Sequence, residues 1–286
     1  MKGGGGNRTR GVLREYGYQA KKRRGQNFLV REDALRGIAA AAELSAADTV
    51  LEIGPGPGNL TRHLCAAAGR VIAVEVDHEL ALILRAELRA SNLTVVEADA
   101  LDLDLAALAP AGGRLKVVAN LPYNITTPML FKLLATPGSF NMVLLLIQKE
   151  VAERITGAPG HKAYGILAVQ TQLVFAAEIV SVIGPEGFSP RPKIDSALIR
   201  LTPLARPAAE VADHELFRRV VRAAFAQRRK TVRNSLIAAL EGFSSARIDE
   251  GLARAGIDSG RRAESIAVAE FAGLANAIGV GTADQD

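Results

Sequence analysis

The chain has 286 residues, 49% of them hydrophobic, a net charge of +5 and a single cysteine, Cys65. This length and composition suit one large domain with a smaller one. One cysteine excludes an intrachain disulfide framework, and no uncharged apolar run reaches transmembrane length. The four scattered histidines lack metal-ligand spacing, so we expect no metal.

Positive charge is concentrated at the N-terminus. Residues 1–31 contain nine Lys or Arg and one acid, Glu15, a net charge of +8, so the remaining 255 residues sum to −3. This asymmetry favours a basic arm that contacts a polyanion, with a solvated tail as the alternative. Residues 1–20 are expected to form a flexible, glycine-rich tail. No apolar segment follows the basic residues, so a signal peptide is excluded and we expect the cytoplasm.

A buried strand is predicted at residues 50–53, directly before the glycine turn GPGPG and Asn59, a residue favoured at helix N-caps. A strand, a glycine turn and a helix N-terminus together predict a cradle for a nucleotide-like ligand. The third glycine is Gly58, which departs from the dinucleotide fingerprint Gly-x-Gly-x-x-Gly. With Glu52 before the glycines, the segment resembles motif I of the S-adenosylmethionine methyltransferases. An ordinary glycine-rich turn is the alternative.

Acidic side chains end the strands of this half of the chain. Glu75 follows Gly54 by 21 residues, the place where nucleotide-binding α/β folds put the carboxylate that holds ribose hydroxyls. Asp99 ends the next predicted strand and could accept a hydrogen bond from an adenine amino group. With Glu52, these carboxylates fit a ligand that contains adenosine and no phosphate. Solvated strand ends are the alternative.

A further buried strand, at residues 115–119, ends in Asn120-Leu121-Pro122-Tyr123. Pro122 favours an extended Leu121, whose carbonyl then points outward. The Asn120 side-chain oxygen and the Leu121 carbonyl could accept hydrogen bonds from an exocyclic amine, and Tyr123 offers a stacking surface. Such groups suit amino methylation, an in-line displacement that depends on positioning and electrostatics. A simple proline turn is the alternative.

The second half of the chain adds an aromatic residue and basic side chains. Phe188 is predicted in a loop flanked by Arg191 and Lys193, where it could sandwich an unstacked base with Tyr123. Residues 217–233 carry seven basic residues and no acid, and are predicted to form one helix. On that helix one stripe would contact phosphates: Arg218, Arg222, Arg229 and Arg233. Loop packing and a solvated basic face are the alternatives.

Taken together, these segments resemble the ribosomal RNA adenine N6-dimethyltransferases, over roughly residues 21–274. The resemblance is carried by GQNFL, EIGPGPGNLT, EVD, EADAL, NLPYNI, FSPRPKIDS, AFAQRRKTVRNSL and RAESIAVAEFAGLA. It is closest to the small-subunit branch, which is linked to kasugamycin sensitivity in bacteria. The resemblance implies dimethylation of two adjacent adenosines in the 3′-terminal hairpin of small-subunit (16S) rRNA during small-subunit assembly.

The resemblance also implies a fold, a cofactor and site residues. The fold is a Rossmann-like domain (21–204), with a mostly parallel seven-stranded sheet containing one antiparallel strand, and a helical RNA-binding domain (205–286). The expected cofactor is S-adenosylmethionine without a metal, and the expected partner is an assembling 30S particle bound by a monomer. Cofactor contacts are implied for Asn27, Leu29, Gly54, Glu75, Asp99, Ala100 and Asn120. The catalytic residues implied or inferred are Asn120, Leu121, Pro122, Tyr123 and Phe188.

Three alternatives stay open on the sequence. The antibiotic-resistance branch methylates one adenine of large-subunit rRNA and shares the glycine motif. Organelle relatives act as transcription factors and need no methylation. A NAD-dependent dehydrogenase is disfavoured by the glycine spacing and by the lack of an acid/base pair for hydride transfer.

Overall fold

The computed structural model describes residues 4–21 and 25–280. Within those ranges the chain forms nine strands and eleven α-helices. The strands are Phe28–Leu29 (β1), Thr49–Ile53 (β2), Arg70–Glu75 (β3), Leu93–Glu97 (β4), Leu115–Asn120 (β5), Phe140–Gln148 (β6), Phe175–Ile183 (β7), Phe188–Ser189 (β8) and Ser196–Pro203 (β9). The helices are Gly4–Glu15 (α1), Glu32–Ala41 (α2), Thr61–Ala67 (α3), His78–Glu87 (α4), Thr126–Ala135 (α5), Lys149–Thr156 (α6), Ile166–Val174 (α7), His214–Ala224 (α8), Val232–Ala239 (α9), Ser245–Arg254 (α10) and Val268–Gly279 (α11).

Seven strands form the main sheet, in the order β4-β3-β2-β5-β6-β9-β7. The pairs from β4 through β6 are parallel, whereas β9 pairs antiparallel with β6. Every residue of β2 is buried, as expected for a central parallel strand covered on both faces. The chain leaves β2 toward β3 and β4, then returns to β5 on the other side. The carboxyl ends of β2 and β5 therefore mark the switch point at which open α/β sheets bind ligands.

The chain divides into two compact units. One contains Met1–Ala152 and Glu178–Pro203, with the parallel strands and their helices. The other contains Glu153–Ala177 and Leu204–Asp286, and its core is formed by apolar residues of α7 through α11. The sequence predicts a single boundary near residue 204. The second unit also includes α7, because Ala168, Val169 and Leu173 pack in the same core as the C-terminal helices.

A helix occupies most of the segment that the sequence predicts as a flexible tail. The helix α1 is followed by Tyr18, which is buried in a small cluster with Phe28, Leu80 and Ile83. Thr9 on this helix is also buried and donates to the Asn59 side chain at 3.0 Å. The segment therefore has packing partners, which its glycine-rich composition does not reveal.

Two helix starts differ from the prediction. Asn59 does not cap α3; the residue before that helix is Leu60, and the Asn59 Nδ2 atom instead donates to the Leu29 carbonyl at 2.8 Å. The sequence also predicts that Thr126 or Thr127 caps the helix after the Asn-Leu-Pro-Tyr turn, but neither caps α5, which follows Ile125 without a side-chain cap. In both cases residues that favour caps are used in other contacts or lie inside the helix. In the described part of the chain, no helix is both long and apolar enough to cross a membrane.

Candidate active site

A cavity of about 240 Å³ opens at the carboxyl ends of the central strands. It gathers residues that the sequence predicts as functional from five separate segments. These are Asn27, Gly54, Glu75, Asp99, Ala100, Asn120, Leu121, Pro122 and Tyr123. Leu29 does not line it: this residue is buried in the core and borders a smaller neighbouring cavity, while Phe28 forms part of the main wall.

The glycine turn combines a left-handed backbone with close packing against two other segments. Gly54 and Gly56 have φ angles of +66° and +57°, in the left-handed region that favours glycine. A Cβ on Gly54 would lie 3.2 Å from Cδ of Pro122, and one on Gly56 would lie 2.8 Å from Cε1 of Phe28. These glycines therefore allow both the turn and the close approach of two other segments that line the cavity.

Glu75 is buried at the end of β3 and held by the backbone. Its Oε2 accepts from the Gly56 N–H at 3.1 Å, and its Oε1 accepts from the Asp77 N–H at 3.0 Å. These bonds join the carboxylate to the glycine turn and fix its place in the cavity wall. Asp77 in turn caps α4, because its Oδ1 accepts from the Glu79 N–H at 3.1 Å.

Asp99 differs from Glu75 in being exposed at the rim of the cavity. Its Oδ1 accepts from the Leu101 N–H at 2.9 Å, which fixes the side chain on its own loop. Ala100 beside it is buried and lines the cavity. The acidic rim and the apolar wall lie side by side, an arrangement suited to an aromatic ring with a polar edge.

Glu52, the third acid that the sequence singles out, lies in β2 two residues before Gly54 and does not line the main cavity. Its side chain is 1% exposed, and Oε2 has no hydrogen-bond partner among the described residues. Burial raises the pKa of Glu52 to about 8, and the negative charge of Glu75 adds to this increase. Glu52 is therefore predominantly protonated at neutral pH and differs electrostatically from the other two acids.

The turn after β5 lines the cavity and is held by hydrogen bonds to neighbouring segments. Asn120 Nδ2 donates to the Asn27 carbonyl at 3.0 Å. Because a carbonyl only accepts, this contact assigns the amide orientation and leaves Oδ1 as an acceptor. The Leu121 N–H donates to the Leu146 carbonyl on β6 at 3.1 Å, and the Pro122 carbonyl accepts from the Ile125 N–H at 3.1 Å. The backbone of the turn is thus held on both sides of the Leu121 carbonyl.

Tyr123 completes this turn as a half-buried ring on the cavity wall. Its hydroxyl forms a 2.8 Å hydrogen bond with Oγ of Ser196, a buried residue at the start of β9. Burial raises the pKa of Tyr123, while the bond to Ser196 opposes that increase. The phenol therefore stays neutral, and the hydrogen bond to Ser196 holds the ring in place on the cavity wall.

Phe188 does not lie in an open loop, as the sequence predicts. It belongs to β8, which pairs antiparallel with β1 and places Phe188 opposite Leu29. The side chain is 1% exposed and packs in the core. This structure therefore offers no open face of Phe188 to a base, and the predicted sandwich with Tyr123 is not formed.

The basic stripe predicted on one helix is divided between two helices. The helix α8 ends at Ala224, and Thr231 starts α9 by accepting from the Asn234 N–H. Arg229 lies in the intervening turn. Thr231 is a strong N-cap residue, and this signal in the sequence could have revealed the break.

The four arginines of this stripe also differ in their partners. Arg218 pairs with Glu215 at 2.8 Å, and Arg233 pairs with Asp249 at 2.5 Å. Arg222 and Arg229 are exposed and have no ion pair among the residues that the structure describes. Arg191 and Lys193, after β8 in the other unit, are also exposed.

The side chains that line the cavity define the ligand it can hold. Its described residues include the carboxylates of Glu75 and Asp99 and no Lys or Arg. Such a wall suits a ligand with positive charge and hydroxyl or amino donors, and it disfavours phosphates. No cluster of side chains suited to a metal ion occurs in the described ranges.

The sequence missed Gln26, Phe28 and Asn124 as parts of this wall. Asn27 and Leu29 are implied by the family resemblance alone, and nothing in their local pattern shows that they approach the sheet. The relevant signal is the strand-like pair FL after GQN, which is too short to predict β1. Phe28 and Leu29 pair with β8, and the Phe28 ring lies beside Gly56 of the glycine turn.

A mostly parallel sheet with a glycine turn after β2, a carboxylate ending β3 and an Asn-Leu-Pro-Tyr turn after β5 defines a Rossmann-like methyltransferase. Comparisons with known proteins identify its family. A family model described as ribosomal RNA adenine dimethylase matches residues 17–279. The chain belongs to this family of rRNA-modifying methyltransferases.

Individual relatives agree with this assignment. The chain is 44% identical to ribosomal RNA small subunit methyltransferase A of Geobacter sulfurreducens, over 93% of this chain and 98% of the relative. It is 45% identical to the protein of the same name from Moorella thermoacetica, over 95% and 96%. These relatives and the family model confirm the predicted family and the prediction of an enzyme, and they exclude a dehydrogenase.

Solved structures confirm the predicted fold. The 23S rRNA methyltransferase ErmE is 31% identical, with a TM-score of 0.67 over 88% of this chain and 99% of that chain. A dimethyladenosine transferase from Plasmodium falciparum is 26% identical, with a TM-score of 0.73 over 85% and 94%.

Proposed function

We propose that this enzyme uses S-adenosylmethionine to dimethylate N6 of two adjacent adenosines in the 3′-terminal hairpin of small-subunit rRNA. One observation carries the proposal: the Asn120–Tyr123 turn and the carboxylates Glu75 and Asp99 line the same cavity. Acceptors for an adenine amine thus lie beside acids that suit an adenosine-containing cation. The identity to small-subunit methyltransferases over nearly the whole chain supports the choice of subunit.

The cavity residues have separate roles in this proposal. S-adenosylmethionine, when bound, supplies a methyl group activated on a sulfonium. Glu75, held by two backbone N–H groups, accepts hydrogen bonds from ribose hydroxyls. Asp99 accepts from the adenine amino group of the cofactor, and the Gly54 turn leaves room for its amino-acid part.

The substrate side is formed by the turn after β5. Asn120 Oδ1 and the Leu121 carbonyl accept hydrogen bonds from the two N–H groups of the target amine, which turns the nitrogen lone pair away from the purine ring. The Tyr123 ring, held through Ser196, stacks on the base. The groups position the reactants and require no strong general base, because the methyl donor is already activated.

Binding of the RNA backbone is assigned to exposed basic side chains. Arg191, Lys193, Arg222 and Arg229 are exposed and contact phosphates in this proposal. Arg218 and Arg233 contribute less, because each is already paired with a carboxylate. The natural substrate is an assembling small-subunit particle in the cytoplasm, and the enzyme acts as a monomer.

A second candidate is the large-subunit reaction, which the similarity to the 23S rRNA methyltransferase ErmE favours. The test is transfer of radiolabelled methyl from S-adenosylmethionine to unmethylated small-subunit particles, large-subunit particles and protein-free rRNA. The proposal expects N6,N6-dimethyladenosine near the 3′ end of small-subunit rRNA. Label confined to large-subunit rRNA would identify the second candidate instead. Absence of label with particle binding intact would indicate a binding factor.

A further inference from the structure

A hydrogen-bonded network ties the segment after α1 to the acidic turn that begins α4. The Asp77 side chain is 2% exposed, and its Oδ2 accepts from the Tyr18 hydroxyl at 3.1 Å and from Lys21 Nζ at 2.9 Å. Lys21 Nζ also contacts Glu79 at 2.9 Å. The Asp77 side chain is therefore bound to the N-terminal segment, while the backbone N–H of the same residue donates to Glu75.

The same tyrosine also holds a residue of the cavity wall. Gln26 Oε1 accepts from the Tyr18 hydroxyl at 2.8 Å and from the Lys21 N–H at 2.7 Å. The backbone donor shows that the atom facing Tyr18 is the Gln26 oxygen. One hydroxyl proton thus serves two acceptors, Gln26 and Asp77. Burial raises the pKa of Tyr18, and the Asp77 charge raises it further, so this proton is retained.

The wall held by Tyr18 reaches the catalytic turn. Gly25 packs against that turn, since a Cβ on Gly25 would lie 2.9 Å from Asn124 Oδ1 and 3.3 Å from the Tyr123 nitrogen. Two residues further on, the Asn27 carbonyl receives the Asn120 side-chain N–H. A displacement of Gln26 would therefore move the group that orients the Asn120 amide.

We propose that Tyr18, supported by Lys21, is a positioning residue of the active site. Its hydroxyl connects the Asp77 turn, which holds the carboxylate for the cofactor ribose, to the Gly25–Phe28 wall, which orients Asn120. Neither residue touches the reacting atoms. This inference rests on the proposed function for the ligand of the cavity, but the network itself is independent of it.

The test compares two variants that each remove one tyrosine hydroxyl. Tyr18→Phe keeps the ring that packs with Phe28 and Leu80. Tyr16→Phe is the matched control, because its hydroxyl contacts only the exposed side chain of Glu87, at 3.2 Å, among the described residues. We expect Tyr18→Phe to raise the Kd for S-adenosylmethionine about tenfold and to lower kcat, since a hydrogen bond to a charged group is lost. Tyr16→Phe is expected to leave both unchanged.

Two further measurements separate positioning from general stability. Amide hydrogen exchange at Asn27 and Phe28, measured without cofactor, should be faster in Tyr18→Phe and unchanged in Tyr16→Phe. A double-mutant cycle with Asp77→Asn should be non-additive in Kd, because both changes break the same connection. Unchanged exchange, or additive effects on Kd, would overturn the proposal. If the parent protein failed to bind S-adenosylmethionine, the proposed function would fail, and the exchange rates would still decide the role of Tyr18.

Discussion

The side chains of Asn120 and Glu75 are each held in place by backbone groups. The Asn27 carbonyl orients the Asn120 amide, and the Gly56 and Asp77 N–H groups hold the Glu75 carboxylate. Because each backbone partner can only donate or only accept, changing Asn120 to Asp places two acceptors opposite each other, and changing Glu75 to Gln can place two donors opposite each other. Substitutions at these two residues can therefore disrupt the hydrogen bonds with little change in side-chain volume.

Replacement of Asn120 by Asp tests its assigned role. The carboxylate oxygen that replaces Nδ2 would face the Asn27 carbonyl without a hydrogen to donate. We expect kcat to fall about 100-fold or more, the range found when one electrostatic contact to a transition state is removed. Binding to small-subunit particles should persist. The assays are single-turnover methyl transfer and particle sedimentation, and wild-type turnover in the variant would exclude a catalytic role for the amide.

Glu52→Gln should change how stability depends on pH. The folded-state pKa of about 8 exceeds the usual value of 4.5, so the folded protein keeps a proton that the unfolded chain releases between these pH values. The stabilisation associated with this proton is complete below pH 4.5 and is lost as the pH rises through 8. Glutamine mimics the protonated acid, so we expect the variant to match the parent near pH 4.5 and to exceed it at pH 8 by roughly 3–5 kcal/mol.

Urea unfolding of both proteins at pH 4.5, 6.5 and 8 measures this difference. Glu241→Gln is a suitable control, because it makes the same chemical change at an exposed side chain. A difference between parent and Glu52→Gln that shrinks with rising pH would contradict a raised pKa.

At the scale of elements, the active site depends on how β1, β8 and the glycine turn pack together. The two-residue strands β1 and β8 pair with each other and with no other strand in the described ranges. Through this pairing Phe28 is held against Gly56, and Phe188 is placed in the core. The short strands therefore close one side of the cavity, although neither has a strong sequence signal.

Gly56→Ala tests this packing. A Cβ would meet the Phe28 ring at 2.8 Å and would require a left-handed backbone at a non-glycine residue. We expect a loss of about 2–4 kcal/mol in the free energy of unfolding, from strain and overpacking combined, together with weaker S-adenosylmethionine binding. Gly37→Ala on α2 is the control: no atom lies within 4 Å of its Cβ, and it should stabilise by about 0.5–1 kcal/mol. Equal stabilities of the two variants in urea unfolding would show that the turn tolerates a side chain.

For the molecule as a whole, the excess of positive charge fits a polyanionic substrate. Its distribution matters more than its sum, because several arginines already have acidic partners within the chain. Arg222 and Arg229 differ in this respect from Arg218 and Arg233. They are the residues of the predicted stripe whose guanidinium groups can meet phosphates without first breaking an ion pair among the described residues.

Reversal of both charges, Arg222→Glu with Arg229→Glu, should weaken particle binding and reduce its salt dependence. Loss of two phosphate contacts should make the slope of log K against log salt shallower by about 1.4–1.8. A matched control reverses Arg114 and Arg206, which are exposed and have no ion pair among the described residues, and changes the net charge equally. Binding titrations at several salt concentrations measure both. Equal effects would mean that net charge, and not local contact, accounts for the loss.

The central strands, the glycine turn and the polar residues at the strand ends could be predicted from the amino-acid sequence. These features follow from short apolar runs, turn chemistry and the direction of parallel strands, all of which act over a few residues. The family resemblance added Asn27 to the site. The predicted cavity residues Gly54, Glu75, Asp99 and Asn120 accordingly meet in one place.

Other features depend on contacts between distant segments and could not be predicted from local sequence. Phe188 is buried where β1 pairs with β8. The Asn59 amide donates to the Leu29 carbonyl and does not cap a helix. Thr231 caps a second helix within the basic segment. The Tyr18 network with Asp77 also joins residues far apart in the chain. A local pattern cannot specify such contacts, because a side chain that suits a loop, a cap or a core equally well takes its role from the partner that folding brings to it.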